Sequence, residues 1–150
     1  VDVRLFADDI LHQACVGDNA EVVSILVGAG VRVDPMFSMA VQCAVAKGNV
    51  DILKILVGAG ASVQHPDNTA LYEACRYGHL DMVKYLVELG ADIYYGHNTP
   101  MYIAIAYGQL EIVKYLASEG AIDIYDAITW ATENGKRKIC KWILKYCMVE

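Results

Sequence analysis

Glycine returns at Gly30, Gly60, Gly90 and Gly120, each time closing an apolar stretch: SILVGAG, KILVGAG, KYLVELG and KYLASEG. Ala14, Ala44, Ala74 and Ala104 keep the same interval of 30, and so do Leu26, Leu56, Leu86 and Leu116. A second glycine, at Gly48, Gly78 and Gly108, is followed two residues on by Val50, Leu80 and Leu110, and then by an acid, Asp51, Asp81 or Glu111. The first unit has Gly17-Asp18 there, one residue out of step. Self-similarity at a fixed interval of this length is the mark of a stacked array, in which each unit buries its apolar face only against its neighbours.

Each unit reads as two short helices. In the third, Ala70 to Tyr77 follows Asn68-Thr69, with Thr69 expected as N-cap, and Thr99-Pro100 repeats the pattern with proline at the first helical position. Gly78 is expected to end that helix in the left-handed conformation. The second helix starts near Leu80, carries Asp81 where the helix dipole favours an acid, and ends at Gly90. Met82, Val83, Leu86 and Val87 form its apolar stripe. Helices this short are not stable alone, so their stripes must stack.

Thr99-Pro100-Met101-Tyr102 and Thr69-Ala70-Leu71-Tyr72, then Gly-His-Leu-Asp at 78–81 and Gly-Ala-Asp-Ile at 90–93, resemble the ankyrin repeat pattern TPLH-x-A, GHLE-VVK-LL, GAD. The resemblance covers nearly the whole chain as one domain, in units of about 6–34, 35–64, 65–94 and 95–125 with a C-terminal cap at 126–150. It implies an all-α ankyrin-repeat solenoid of antiparallel helix pairs. Such repeats usually run to about 33 residues, and the shortfall lies between Gly90 and Thr99, so shortened hairpin fingers are expected. In the last unit the loop loses three more residues, with Asp126 expected to cap the helix and a second helix over 138–146. The compact style, as in GHLDMVKYLVELGAD, resembles ankyrin proteins of large amoeba-infecting DNA viruses. Where ankyrin-like repeats are often hydroxylated on asparagine, this chain has Asp34, Gln64 and Tyr94.

Against this frame the chemical alternatives lose ground. A dinucleotide loop needs Gly-x-Gly-x-x-Gly, but Gly28-Ala29-Gly30 continues Val-Arg-Val and Gly60 continues Ala-Ser-Val. His12, His65, His79 and His97 lack a ligand spacing, and no nucleophile motif occurs. No enzyme activity, metal or other cofactor, or small-molecule substrate is expected. The five cysteines are scattered with no Cys-x-x-Cys, which points to a reducing, intracellular and cytoplasmic setting, the nucleus included. No apolar run approaches the roughly 18 to 20 residues of a membrane span, so no membrane partner is expected. Up to residue 135 there are seven basic against seventeen acidic side chains, which disfavours nucleic acid. Lys136, Arg137, Lys138, Lys141 and Lys145 interleave with Ile139, Trp142, Ile143 and Leu144, as a solvated cap face would.

That leaves another protein as the expected partner. All ten tyrosines lie at or beyond Tyr72. Tyr85 and Tyr115 share a column with Ile25, Ile55 and Trp142 and are read as packing residues. Tyr77 and Tyr107, beside Arg76 and Ala106, precede the helix-ending glycine, where the ankyrin resemblance implies a concave groove that varies with the partner. Tyr and Arg on such a rigid surface are the types enriched at hot spots. The expected partner-binding residues are Phe37, Lys47, Arg76, Tyr77, Tyr95, His97 and Tyr107, with Glu73 and Trp130, on the concave face of repeats two to four. The alternative is a structural or self-associating segment of a longer array. Val1 in place of Met, and the apolar Val3, Leu5, Phe6, Ile10 and Leu11, lead to that expectation.

Overall fold

The structure, a computed structural model, describes residues 7–33, 38–63 and 68–148. Those residues form ten helices and no strand: α1 Ala7–Val16, α2 Ala20–Gly28, α3 Met39–Lys47, α4 Val50–Gly58, α5 Thr69–Tyr77, α6 Leu80–Glu88, α7 Tyr95–Ala106, α8 Leu110–Ser118, α9 Ile124–Glu133 and α10 Arg137–Cys147. Odd-numbered helices pack on one another in one layer, α1 to α3 and so on to α9, while even-numbered helices form the second layer. The chain is therefore an all-α solenoid of helix pairs. No described helix is long and apolar enough to cross a membrane.

The repeated glycines divide into two physical classes. Gly28 and Gly58 are ordinary last residues of α2 and α4, whereas Gly30 and Gly60 take φ of 86° and 100° and let the chain leave the helix. Gly48 and Gly78 are also left-handed, but their faces are covered as well. A Cβ on Gly48 would lie 2.5 Å from the His79 ring, and one on Gly78 2.5 Å from Gln109 Oε1. Those side chains tie one unit to the next, with the His79 ring nitrogen Nε2 2.8 Å from the Ala46 carbonyl and Gln109 Nε2 donating to the Arg76 carbonyl at 3.2 Å. Asp18 restores the register of the first unit. It takes the left-handed turn itself (φ 55°), at the position matching Gly48 and Gly78, and accepts a hydrogen bond from Asn49 Nδ2 at 2.8 Å.

Several expected caps are displaced. Asn68, not Thr69, precedes α5, and it sits left-handed with its side chain donating to the Asp92 carbonyl at 2.7 Å, so it joins units instead of capping. Thr99 Oγ1 donates to the Gly96 carbonyl at 2.6 Å, closing a turn in which Gly96, His97 and Asn98 are all left-handed. This turn breaks α7 into two parts, the second of which begins at Thr99-Pro100. In the last unit Asp123 caps α9 by accepting from the Asp126 N–H at 3.1 Å, so Asp126 lies in the first turn. The Asn68 shift has a plain cause: a short polar side chain nearest a turn can either cap its own helix or reach a neighbouring unit, and the local sequence does not say which.

All five cysteines are free, and burial pushes the Cys75 thiol up to about 12 and, with Cys43 and Asp18 nearby, the Cys15 thiol up to about 11, against an ordinary 9.0. A raised folded value means that the folded state keeps a proton which the unfolded chain releases. Their contribution is therefore full below about pH 9 and is lost as pH rises from there through the folded values. Urea unfolding is expected to show a lower midpoint at about pH 10 than at about pH 7, with Cys75→Ala narrowing the gap. An unchanged gap would remove Cys75 from the account.

Candidate partner-binding groove

The inner helices end in a row of exposed side chains. α5 is brought to a stop by Gly78 at φ 83°, which leaves Arg76 and Tyr77 on its last turn, and Tyr107 stands at the matching end of α7. The Arg76 guanidinium lies 5.6 Å from the centre of the Tyr77 ring and 5.5 Å from that of Tyr107. Both distances are within cation–π range. Glu73 Oε1 stands 3.8 Å from Arg76 Nη1, one helical turn back. With both partners partly exposed, this pair orients the guanidinium more than it stabilises the fold. The two rings remain open to solvent at 48% and 52%.

Beside this cluster lies a hollow of about 500 Å³ across α1, α3 and α5, with Glu73, Arg76 and Tyr77 on one side and His12, Met39 and Cys43 on the other. Sequence reasoning passed over that second side. Met39 is a large apolar residue half exposed at a position where the later units carry Thr69 and Thr99, and that break in the column was the available signal.

The remaining expected residues fall elsewhere. Lys47 donates from Nζ to the Val16 carbonyl at 2.7 Å, closing the end of α1. Tyr95 packs against Tyr72 with ring centres 6.1 Å apart. His97 is exposed on the left-handed turn. Trp130 stacks on Tyr102 at 5.4 Å and 19°, while the Tyr102 hydroxyl donates to Asp126 Oδ2 at 3.3 Å. Burial and then Asp126 raise the Tyr102 pKa. Phe37 lies outside the described residues, as do Val3, Leu5, Phe6, His65, Pro66 and Asp67. The structure thus brings Glu73, Arg76, Tyr77 and Tyr107 together and leaves Tyr95 and Trp130 in separate aromatic pairs.

On the outer helices the shared column of Tyr85 and Tyr115 serves packing. Each ring receives a lysine of the preceding unit, Lys54 at 5.6 Å and Lys84 at 5.9 Å. Among the described residues no group of three or more His, Cys, Asp or Glu is arranged to hold a metal ion.

A family model described as ankyrin repeats (3 copies) matches residues 41–126 and 96–150. Comparison with curated proteins returns no match.

Proposed function

We propose, since this chain belongs to the ankyrin-repeat family, whose repeats generally mediate protein–protein interaction, that it is a non-catalytic module binding a partner protein along its inner helices, on repeats two to four. The observation that carries the reading is Arg76 held between two exposed tyrosine rings at the edge of the hollow. A guanidinium in contact with two rings and paired with Glu73 loses little freedom on docking, yet its side chain, 48% exposed, stays within reach of a carboxylate or carbonyl of the partner. The flanking rings offer large rigid contact area of the kind hot spots use. The hollow toward Met39 extends the docking surface onto α1, one unit further than the sequence led us to expect. The five free cysteines support a reducing, intracellular setting.

The test is affinity capture from host lysate with the native chain and with the Tyr77→Ala, Tyr107→Ala double variant, followed by titration of the captured protein. Truncating one hot spot costs about 2 kcal/mol or more, roughly 30-fold in Kd, so the pair is expected to weaken binding by at least that much. Both rings are exposed, so the thermal midpoint should move by only a few degrees. Full affinity in the double variant overturns the assignment of this face.

A further inference from the structure

Burial along the repeat columns reveals two unlike end faces. Ala40, Ala70, Pro100 and Ala127 are buried, but Ile10, at the same position of the first pair, is 37% exposed. Ile52, Met82, Ile112 and Ile139 are at most 2% exposed, while their counterpart Val22 is 40% exposed. These columns lose their cover only in the first pair, so they face the preceding unit. The complementary columns lose theirs only in the last. Met101, Ile105 and Val113 are buried, whereas Ile128 and Cys140 are half-buried and Thr132 exposed; beside them Leu144 is exposed, in a column where Val27, Val57 and Val87 are half-buried and Ala117 buried. The first and last described helix pairs therefore carry apolar surfaces whose geometry is that of the two sides of the internal joints.

Charge distinguishes those ends. The exposed column Glu21, Asp51, Asp81, Glu111 changes sign in the last unit, where Lys138 follows. Arg137, Lys141 and Lys145 are exposed around it, while Asp9 and Glu21 border the first face. Within the array Glu21, Asp51 and Asp81 each have another acid one unit along, whereas Glu111 has Lys138. A junction between the last pair and a first pair would repeat the lysine-to-glutamate step of that last internal joint, with Lys138 beside Glu21.

We propose that the last helix pair of one copy docks on the first helix pair of another, head to tail, with Leu144 and Ile128 covering Val22 and Ile10 and Lys138 beside Glu21. The contact continues the internal joint and is independent of the inner-helix groove. It is heterologous and does not close on itself, so association is open-ended.

Sedimentation equilibrium of the full chain, from about 10 µM to about 1 mM, spans the range in which a contact of modest affinity would populate. The average mass is expected to rise continuously past the dimer, and to rise less at high salt, which screens exposed pairs. Glu21→Lys alone and Lys138→Glu alone each set like charges across the joint and are expected to weaken association roughly tenfold. An equimolar mixture of the two restores opposite charges at every junction between unlike copies and is expected to associate more strongly than either variant alone, close to the native curve. Leu144→Asp should suppress association, and the Tyr77→Ala, Tyr107→Ala variant should leave it unchanged. A constant monomer mass up to the top concentration overturns the proposal. So does a closed dimer, association that ignores Leu144→Asp, or a mixture no better than its components.

Discussion

Ile52→Ala is expected to cost about 2–5 kcal/mol, whereas Val22→Ala, the same column one unit earlier, should cost less than about 1 kcal/mol. Ile52 is fully buried between α4 and the first helix pair, so truncation opens a cavity that neighbours on both sides can only partly fill. Val22 already meets solvent over 40% of its surface and leaves no cavity. At about 2–4 °C per kcal/mol for a chain of this size, the first change is expected to lower the thermal midpoint by roughly 5–15 °C and the second by a few degrees at most. Circular dichroism melts of the two variants decide it. Equal losses would mean that the column is not a joint between units, and would remove the basis for reading the two end faces.

The second large effect concerns the glycines. Gly48→Ala and Gly60→Ala both force alanine into the left-handed region, at φ 72° and 100°, which costs about 1–2 kcal/mol for an L-residue. Around Gly60 nothing lies within 4 Å of the added methyl, so the cost should stop there. At Gly48 the methyl would stand 2.5 Å from the His79 ring and must push it off the Ala46 carbonyl, 2.8 Å away. Losing that bond adds about 0.5–1.5 kcal/mol, more if the carbonyl is left without a partner. Gly48→Ala is therefore expected to exceed Gly60→Ala by about 1 kcal/mol or more in urea unfolding. In a His79→Ala background the difference should vanish. A difference that persisted there would show that His79 is not what the methyl meets.

Much of the fold was legible because the signals that set it are local and repeated. One Gly-Ala-Gly would be ambiguous, but glycine every 30 residues, with a second series at Gly48, Gly78 and Gly108 each followed three residues on by an acid, points to short helices ending at those glycines. The family match over residues 41–150 and the glycine φ values agree with that reading. The misses were also local in origin. Thr69, Thr99 and Asp126 were read as caps by residue type, but Asn68 is drawn to the Asp92 carbonyl, a contact that exists only once the units are stacked, and Thr99 turns back to the Gly96 carbonyl within its own left-handed turn. Gly17 looked out of register because glycine was taken as the marker. The left-handed residue is Asp18, held by Asn49 of the following unit.

The groove was legible in kind and not in composition. Column counting put Arg76, Tyr77 and Tyr107 at helix ends, but nothing in the linear order says that one guanidinium sits between two rings 30 residues apart. Nor does it say that Lys47 turns to the Val16 carbonyl, or that Trp130 stacks on Tyr102. The sequence by itself determined the period, the helix pairs and the left-handed exits, because backbone conformation and amphipathic spacing are properties of neighbouring residues. Only the tertiary structure decided which apolar column faces forward and which back, which polar groups bridge units, and which aromatics share a cluster. Those depend on how surfaces some thirty residues apart meet, and each long side chain has several partners in reach until the neighbouring unit removes all but one.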